Sequence, residues 1–267
     1  MEPRIRVRGL CISGKMLSGK DTFAQSFKKL SRKKSITNIA FADKLKIYCK
    51  YLLVNLSQDL AHKRTHEETV YKLSQYLNHD LFQDEENVSN IYTRLMPLTR
   101  ADYIQCLIKT PMQMPGVLDP CGIPYQEFGF ENIDAFLWGE NPKPRKLTQE
   151  FGTAFVRSIR DSAWIDHVRR IINTHHDQFF IVTDARYPNE VMACRAEGLL
   201  DISVSAPLDL RIRRSIARDG TDGKEAMSHS SETSLDDFRF SVSVDNSTSI
   251  MDLETRIKST PELTALL

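Results

Sequence analysis

The fold is decided by the stretch LCISGKMLSGKDTFAQSF, which covers residues 10–27. An apolar run at 10–12 precedes a glycine-rich turn and then an amphipathic stretch, which is the order of strand, loop and helix that a phosphate-binding loop requires. Gly14 and Gly19 let the backbone turn tightly, so that successive N–H groups face phosphate oxygens beside the positive end of the helix dipole. Lys20 can reach the β- and γ-phosphates. We predict that the chain uses a nucleoside triphosphate.

The loop departs at one position from the usual ending Gly-Lys-Ser/Thr, in which the hydroxyl helps to hold Mg²⁺. Asp21 stands in that position and Thr22 follows it. A carboxylate is a hard oxygen ligand that suits Mg²⁺ as well as a hydroxyl does, directly or through water. Lys15 adds a second positive charge within the loop. The alternative is a capping turn in which Asp21 only complements the helix dipole, but the strand and helix on either side favour the phosphate site.

The composition is that of an ordinary globular protein, with 267 residues, 41% hydrophobic residues and a net charge of +1. So small a charge provides no strong field for nucleic acid or a membrane surface. Five cysteines without CxxC spacing argue against a zinc site and a disulfide framework, and they favour a reducing compartment. Three arginines before residue 9 interrupt any signal-peptide core, and no apolar stretch is long enough to span a bilayer. We expect a cytoplasmic protein that binds neither nucleic acid nor a membrane.

Short apolar runs alternate with amphipathic stretches along most of the chain. The predicted strands cover 7–13, 36–41, 179–183, 201–204 and, more weakly, 240–244, and the predicted helices cover 22–30, 43–53, 149–159, 164–174 and 189–197. This alternation predicts an α/β fold with three layers, α/β/α, around a parallel central sheet. Such sheets bind ligands at the carboxyl ends of their strands, where the loop, Asp43 and Asp184 fall. Together with the loop, the pattern predicts a P-loop NTPase fold.

Residues 55–144 interrupt the alternation with polar helical stretches and a segment rich in proline and glycine. We predict a core formed by 1–54 and 145–267, with 55–144 inserted as a mostly helical region. The insertion either binds the acceptor or forms a dimer surface, and the sequence leaves both alternatives open.

Arginines cluster near the start of residues 207–234, ahead of a polar stretch that contains two glycines. They are Arg211, Arg213, Arg214 and Arg218. A helix that ends in a mobile, arginine-rich segment is typical of a lid that closes over phosphates, neutralises charge on the transferring group and excludes water. The alternative is a basic helix packed on the surface.

The run FFIVTDARYPNE at 179–190 is a buried strand that ends in Asp184. In enzymes that use nucleoside triphosphates, a carboxylate at this place binds or orients Mg²⁺. Arg186 and Glu190 follow four residues apart at the opening of a helix. This spacing also suits a simple salt bridge, but the neighbouring Asp184 favours a role at the phosphates.

A second basic segment lies at residues 146–164, which read KLTQEFGTAFVRSIRDSAW. Arg157 and Arg160 are three residues apart, so both can face the same side of a helix. Guanidinium groups suit a phosphate dianion because each can donate to two of its oxygens. The alternative is that one of these two arginines lies on the exposed face of the helix and binds no phosphate.

In this order the motifs resemble the phage-type deoxynucleoside monophosphate kinases. The segments that carry the resemblance are 13–22, 41–46, 145–153, 161–164 and 182–190. The resemblance implies that the γ-phosphoryl group of ATP is transferred, with Mg²⁺, to a deoxynucleoside monophosphate, giving the diphosphate and ADP. The expected partners are therefore small-molecule nucleotides, with a homodimer as the alternative use of the insertion. For a viral protein, the expected compartment is the host cytoplasm.

The resemblance also implies roles for individual residues. ATP would be bound by Gly14, Lys15, Ser18, Gly19, Lys20, Asp21, Thr22, Arg211 and Arg218. Lys20, Asp184, Arg186, Glu190 and Arg214 would act at the reacting phosphates, with Asp21 and Asp184 as metal ligands. The acceptor would be bound by Asp43, Arg145, Gln149, Arg157 and Trp164.

Two other interpretations remain open. Animal-type phosphomevalonate kinases share Ser-Gly-Lys-x-x-Ser-Gly-Lys-Asp, and the segment SETSLDDF at 231–238 resembles their C-terminal Ser-Glu-x-x-Leu-Asp-x-Phe. The insertion and residues 149–153 favour the nucleotide kinase. The other interpretation is a nucleotide-dependent switch without acceptor chemistry, and the many arginines at the predicted lid and acceptor site make it the least favoured.

Overall fold

The computed structural model describes residues 7–33, 35–62, 65–82, 88–100, 145–228 and 230–267. The chain divides into two compact units. The first unit contains the residues up to Phe41 together with Ile165–Leu267, and the second is Ala42–Trp164.

The first unit is built on a parallel sheet of five strands. The strands are β1 Gly9–Ser13, β2 Ile36–Ile39, β3 Phe179–Ala185, β4 Leu199–Ser205 and β5 Val242–Asp245. Their order is β2-β3-β1-β4-β5, so the strand that leads into the glycine-rich loop is central. In register, Leu10 of β1 lies opposite Ile181 of β3 and Leu200 of β4. The predicted α/β fold with a parallel sheet is confirmed, and each of the five predicted strands is present.

Helices account for most of the remaining described residues. They are α1 Lys20–Leu30, α2 Phe41–His62, α3 His66–Leu77, α4 Val88–Arg100, α5 Arg145–Gln149, α6 Ala163–Thr174, α7 Pro188–Ala196, α8 Leu208–Asp219, α9 Lys224–Met227, α10 Ser230–Thr233, α11 Ile250–Ser259 and α12 Pro261–Thr264. Two π-helices, Asn78–Phe82 and Glu150–Arg157, complete the set.

The faces of the sheet are covered by different helices, because successive side chains of a strand point to opposite faces. Leu10 and Ile12 of β1 pack with α1 and α11, and the ring of Phe27 in α1 stacks on Phe179 at 5.9 Å. Cys11, between them in sequence, forms a thiol hydrogen bond with Cys194 of α7, and both cysteines are free and buried. The three layers that the sequence predicts are therefore α1 and α11, the sheet, and α7.

The described part of the second unit is helical, and residues 101–144 of the predicted insertion lie outside it. A single helix was expected at 149–159, whereas the chain forms α5 and then the π-helix Glu150–Arg157. Gly152 lies in this π-helix, and a Cβ there would be 2.7 Å from a methyl group of Leu45. The close approach of α2 therefore favours glycine at 152, because a larger residue would displace the Leu45 side chain. The role of the insertion in acceptor binding or dimerisation stays a prediction.

Candidate active site

The loop between β1 and α1 has a backbone that only particular residues can adopt. Gly19 precedes α1 with φ +90°, a left-handed conformation that costs glycine little. A Cβ on Gly19 would also lie 2.0 Å from Nδ2 of Asn246. At Gly14 a Cβ would lie 2.4 Å from the Ser18 hydroxyl oxygen and from a backbone oxygen of β4. The two glycines of the motif are therefore required by packing as well as by the turn.

Three consecutive carbonyl groups of this loop are held by side chains from outside it. Asn246 donates from Nδ2 to the Ser18 carbonyl at 2.9 Å, and Arg214 donates from Nη1 to the Leu17 carbonyl at 3.0 Å. Arg211 donates to the Met16 carbonyl at 3.5 Å. These bonds fix the loop through its acceptors without using the N–H groups that bind phosphate in such loops.

Asn246 is itself fixed in place, although it was not among the predicted site residues. It directly follows β5 and is almost fully buried. Its N–H donates to the Ser205 carbonyl at 2.8 Å, and its own carbonyl accepts from Nη2 of Arg214 at 2.9 Å. Because β5 was the most weakly predicted strand, the sequence did not indicate that the residue after its end belongs to the site.

Lys20 opens α1 among several charged groups. Its pKa is lowered to about 8, first by burial and then by the positive charge of Arg186. Nearby carboxylates act in the opposite direction and raise the pKa; they belong to Asp21, Glu232 and Asp184. The predicted phosphate and metal residues Lys20, Asp21, Asp184 and Arg186 are therefore electrostatically coupled in the first unit.

The end of β3 carries the second group of predicted site residues. Oδ1 of Asp184 accepts from the N–H of Phe41 at 2.9 Å. Glu190 is buried, and its Oε2 accepts from the N–H groups of Arg186 at 2.7 Å and of Tyr187 at 3.2 Å. Glu190 thus shapes the turn that carries Arg186, which leaves the guanidinium group for other partners.

Glu232 is the main partner of that guanidinium group and was not among the predicted site residues. Its Oε1 accepts from Nη1 of Arg186 at 2.6 Å, while its Oε2 accepts from the N–H of Met16 in the loop at 2.5 Å. One turn later, Asp236 pairs with Lys15 at 2.8 Å. The polar part of residues 207–234 was predicted to be mobile, whereas α9 and α10 form there and α10 carries Glu232. The segment's role as a lid stays a prediction.

The five predicted acceptor residues lie in the second unit. Asp43 is in the first turn of α2, and α5 begins at Arg145 and ends at Gln149. Arg157 ends the π-helix and pairs with Asp161 at 2.5 Å. Trp164 is buried, and its indole N–H donates to the Gly152 carbonyl at 3.3 Å. The roles of these five residues at the acceptor stay predictions.

A cavity of about 360 Å³ opens beside the loop in the first unit. Its lining includes Gly14, Lys15, Ser18, Arg186, Arg211 and Glu232. The Ser18 hydroxyl oxygen is buried, and among the described residues it has no hydrogen-bond partner. Since a buried polar group is normally paired, this hydroxyl and the surrounding cations fit an oxygen-rich anion.

The comparison with protein families agrees with this geometry. A model of the deoxynucleotide monophosphate kinase family matches residues 9–257, which include the loop, the end of β3 and α10. The chain belongs to this family. The search of curated proteins found no match to this chain. Among solved structures, the crystal structure of TT1252 from Thermus thermophilus is similar over 97% of both chains, with 13% identity and a TM-score of 0.42. This similarity is too low to carry an argument.

The donor set of the kinase fits Mg²⁺, although its described residues contain no cluster of three or more His, Cys, Asp or Glu side chains suited to a metal. Mg²⁺ is usually held by one or two carboxylates together with substrate phosphates and water. Asp21, exposed in the first turn of α1, and Asp184 supply carboxylates of this kind.

Of the helices that the structure describes, none has the length and apolar character needed to cross a bilayer.

Proposed function

We propose that the chain transfers the γ-phosphoryl group of ATP to a deoxynucleoside 5′-monophosphate and releases the diphosphate and ADP. Membership of the family supports the kinase reaction. The observation that carries the choice of a triphosphate donor is the loop itself, where the buried Ser18 hydroxyl, Lys15 and Arg186 line one cavity. Lys20 follows the loop at the start of α1, where it reaches the phosphates in such loops.

The chemistry needs positioning and charge neutralisation more than a strong base. An oxygen of the acceptor phosphate attacks the γ-phosphorus, and the bond from that phosphorus to the β-γ bridging oxygen breaks, which leaves ADP. Lys20 and Arg186 would stabilise the negative charge that develops on the transferred group and on the leaving oxygen. When bound by Asp21 and Asp184, Mg²⁺ would neutralise part of the phosphate charge.

An assay with a panel of acceptors tests the proposed function. The panel contains dAMP, dGMP, dCMP, dTMP, the four ribonucleotides and phosphomevalonate, each with Mg-ATP, and ADP release is measured. We expect release that depends on a deoxynucleotide. Release with phosphomevalonate alone would contradict the proposal and support the phosphomevalonate kinase, while ATP binding without release for any acceptor would support the switch.

The acceptor role of Arg157 predicts a selective effect on one substrate. Its side chain is only 8% exposed and pairs with Asp161, whose side chain is 64% exposed, so the carboxylate of this pair can be solvated after Arg157→Ala. We expect the KM for the acceptor to rise at least about tenfold and the KM for ATP to stay within about threefold, because one charge-assisted contact to the acceptor phosphate is lost. Initial rates with each substrate varied measure both constants. Arg170→Ala, at an exposed position of α6, is the control. Equal changes in the two constants would assign Arg157 to another role.

The bond from Asn246 to the loop predicts a selective effect on the other substrate. Asn246→Asp keeps the shape of the side chain but replaces the donor to the Ser18 carbonyl with a negatively charged acceptor. We expect the KM for ATP to rise at least about tenfold, because the Ser18 carbonyl loses its hydrogen-bond donor and is repelled by the new carboxylate. The KM for the acceptor should stay within about twofold. Asn173→Asp, the same change at an exposed site on α6, is the control. An unchanged KM for ATP in a folded Asn246→Asp protein would contradict this role.

A further inference from the structure

The loop already binds an anion from its own chain. Glu232 uses both carboxylate oxygens, one on the N–H of Met16 and one on the guanidinium group of Arg186. We propose that Glu232 sets the affinity for nucleotide by occupying the place of a phosphate group, so that nucleotide binding requires its carboxylate to leave these two donors. This inference rests on the proposed function, because it assumes that the loop binds a nucleoside triphosphate.

The donors that hold Glu232 are those that phosphate uses. A backbone N–H of a glycine-rich loop and an arginine fork both prefer oxyanions, and a carboxylate presents two oxygens as a phosphate edge does. The Glu232 side chain is only 6% exposed, so its charge has lost most of its water and depends on these two bonds. A polyphosphate carries more charge than one carboxylate and can therefore displace it from the same donors.

The second pair in this segment adds less to the competition. Lys15 and Asp236 are bonded at 2.8 Å, but their side chains are 43% and 45% exposed, so water screens the pair. Asp236 and Glu232 nevertheless lie in the same segment, and each pairs with a cation beside the loop: Asp236 with Lys15, and Glu232 with Arg186. Both carboxylates compete with phosphates for these cations, and the buried Glu232 makes the larger contribution.

Calorimetric titration of ATP into the full-length protein tests the proposal. Glu232→Gln keeps the size of the side chain and removes its charge. We expect this variant to bind ATP about tenfold more tightly than the wild type, because a neutral amide competes weakly for Arg186 and no longer repels phosphate. The matched control is Asp237→Asn, which removes one charge from an exposed position of the same segment and should bind ATP as the wild type does.

The remaining outcomes separate the inference from the proposed function. If Glu232→Gln binds ATP no more tightly than the wild type while kcat falls, Glu232 only positions Arg186 and the inference is wrong. A wild-type protein that binds no ATP would instead refute the proposed function.

A structure of the wild type with a non-hydrolysable ATP analogue provides a second test that does not depend on how the variant folds. We expect phosphate oxygens on the Met16 N–H and on Arg186, with the Glu232 carboxylate withdrawn from both. Retention of both Glu232 bonds with the analogue in the loop would overturn the inference.

Discussion

Lys20→Met is expected to abolish phosphoryl transfer, with kcat at least about 1,000-fold below the wild-type value, while the protein stays folded. Lys20 stands at the lysine position of the loop motif, and its charge is coupled to those of Asp184 and Arg186 at the end of β3. A neutral methionine of similar length retains the packing but cannot stabilise charge on the transferred group. Steady-state rates with saturating ATP and acceptor measure the loss.

The control for this variant is Lys29→Met, the same change in the same helix. Lys29 pairs with Glu254 and its side chain is 70% exposed, so its removal should leave kcat within about twofold of wild type. If Lys20→Met retained more than about a tenth of the wild-type kcat, Lys20 would have no part in the chemical step.

The same variant is expected to be at least as stable as the wild type at neutral pH. The pKa of Lys20 is about 8 in the folded protein, against 10.5 as its ordinary value, so folding disfavours the charged form. This cost is complete below pH 8 and disappears as the pH rises from 8 towards 10.5, because the unfolded chain then binds more protons than the folded one. The gain in Tm of Lys20→Met over wild type should therefore shrink across this range, and a Tm below wild type at pH 7 would contradict the argument.

Arg186→Met is expected to remove activity and to lower the free energy of unfolding by about 2 kcal/mol, because it leaves a buried carboxylate without its cation. The Arg186 side chain is 27% exposed and the Glu232 side chain 6%, so solvent screens the pair only in part. Chemical denaturation measures the loss. Arg213→Met is the control. It breaks the pair between Arg213 and Asp209, whose side chains are 71% and 72% exposed respectively, and should lower the free energy of unfolding by less than about 0.5 kcal/mol.

The double variant Arg186→Met with Glu232→Gln separates stability from activity. Most of the lost stability should return, because no buried charge is left unpaired. Activity should not return, because the guanidinium group that would contact the transferred phosphoryl group is still missing. Recovery of turnover in the double variant would show that Arg186 serves only to neutralise Glu232.

The sequence predicted the parts of this molecule that depend on local patterns. The run from Leu10 to Phe27 encodes strand, turn and helix within one short segment, and apolar runs such as 179–183 mark buried parallel strands. The structure confirms these elements. The π-helix Glu150–Arg157 was not predicted, because its residues have the same apolar spacing as an α-helix and Gly152 packs against a distant helix.

The contacts around the loop could not be predicted because they join distant parts of the chain. Asn246 bonds to a residue 228 positions away, and Glu232 bonds to one 216 positions away. Asn246 belongs to no recognised motif, and the segment SETSLDDF, which contains Glu232, does not indicate from its sequence that it contacts the loop. Only the fold places both residues there. Arg211 and Arg214 were predicted to bind phosphates, and in this structure both donate to loop carbonyls. Their action at the phosphates stays a prediction.

The most direct test of the account follows the phosphoryl group itself. Wild-type protein and Lys20→Met are incubated with ATP labelled on the γ-phosphate and with each deoxynucleoside monophosphate, and the nucleotides are then separated. We predict label in the β-position of a deoxynucleoside diphosphate with the wild type and none with Lys20→Met. Label that appears only as inorganic phosphate, or that stays in ATP for every acceptor, would contradict the proposed transfer from ATP to a deoxynucleoside monophosphate.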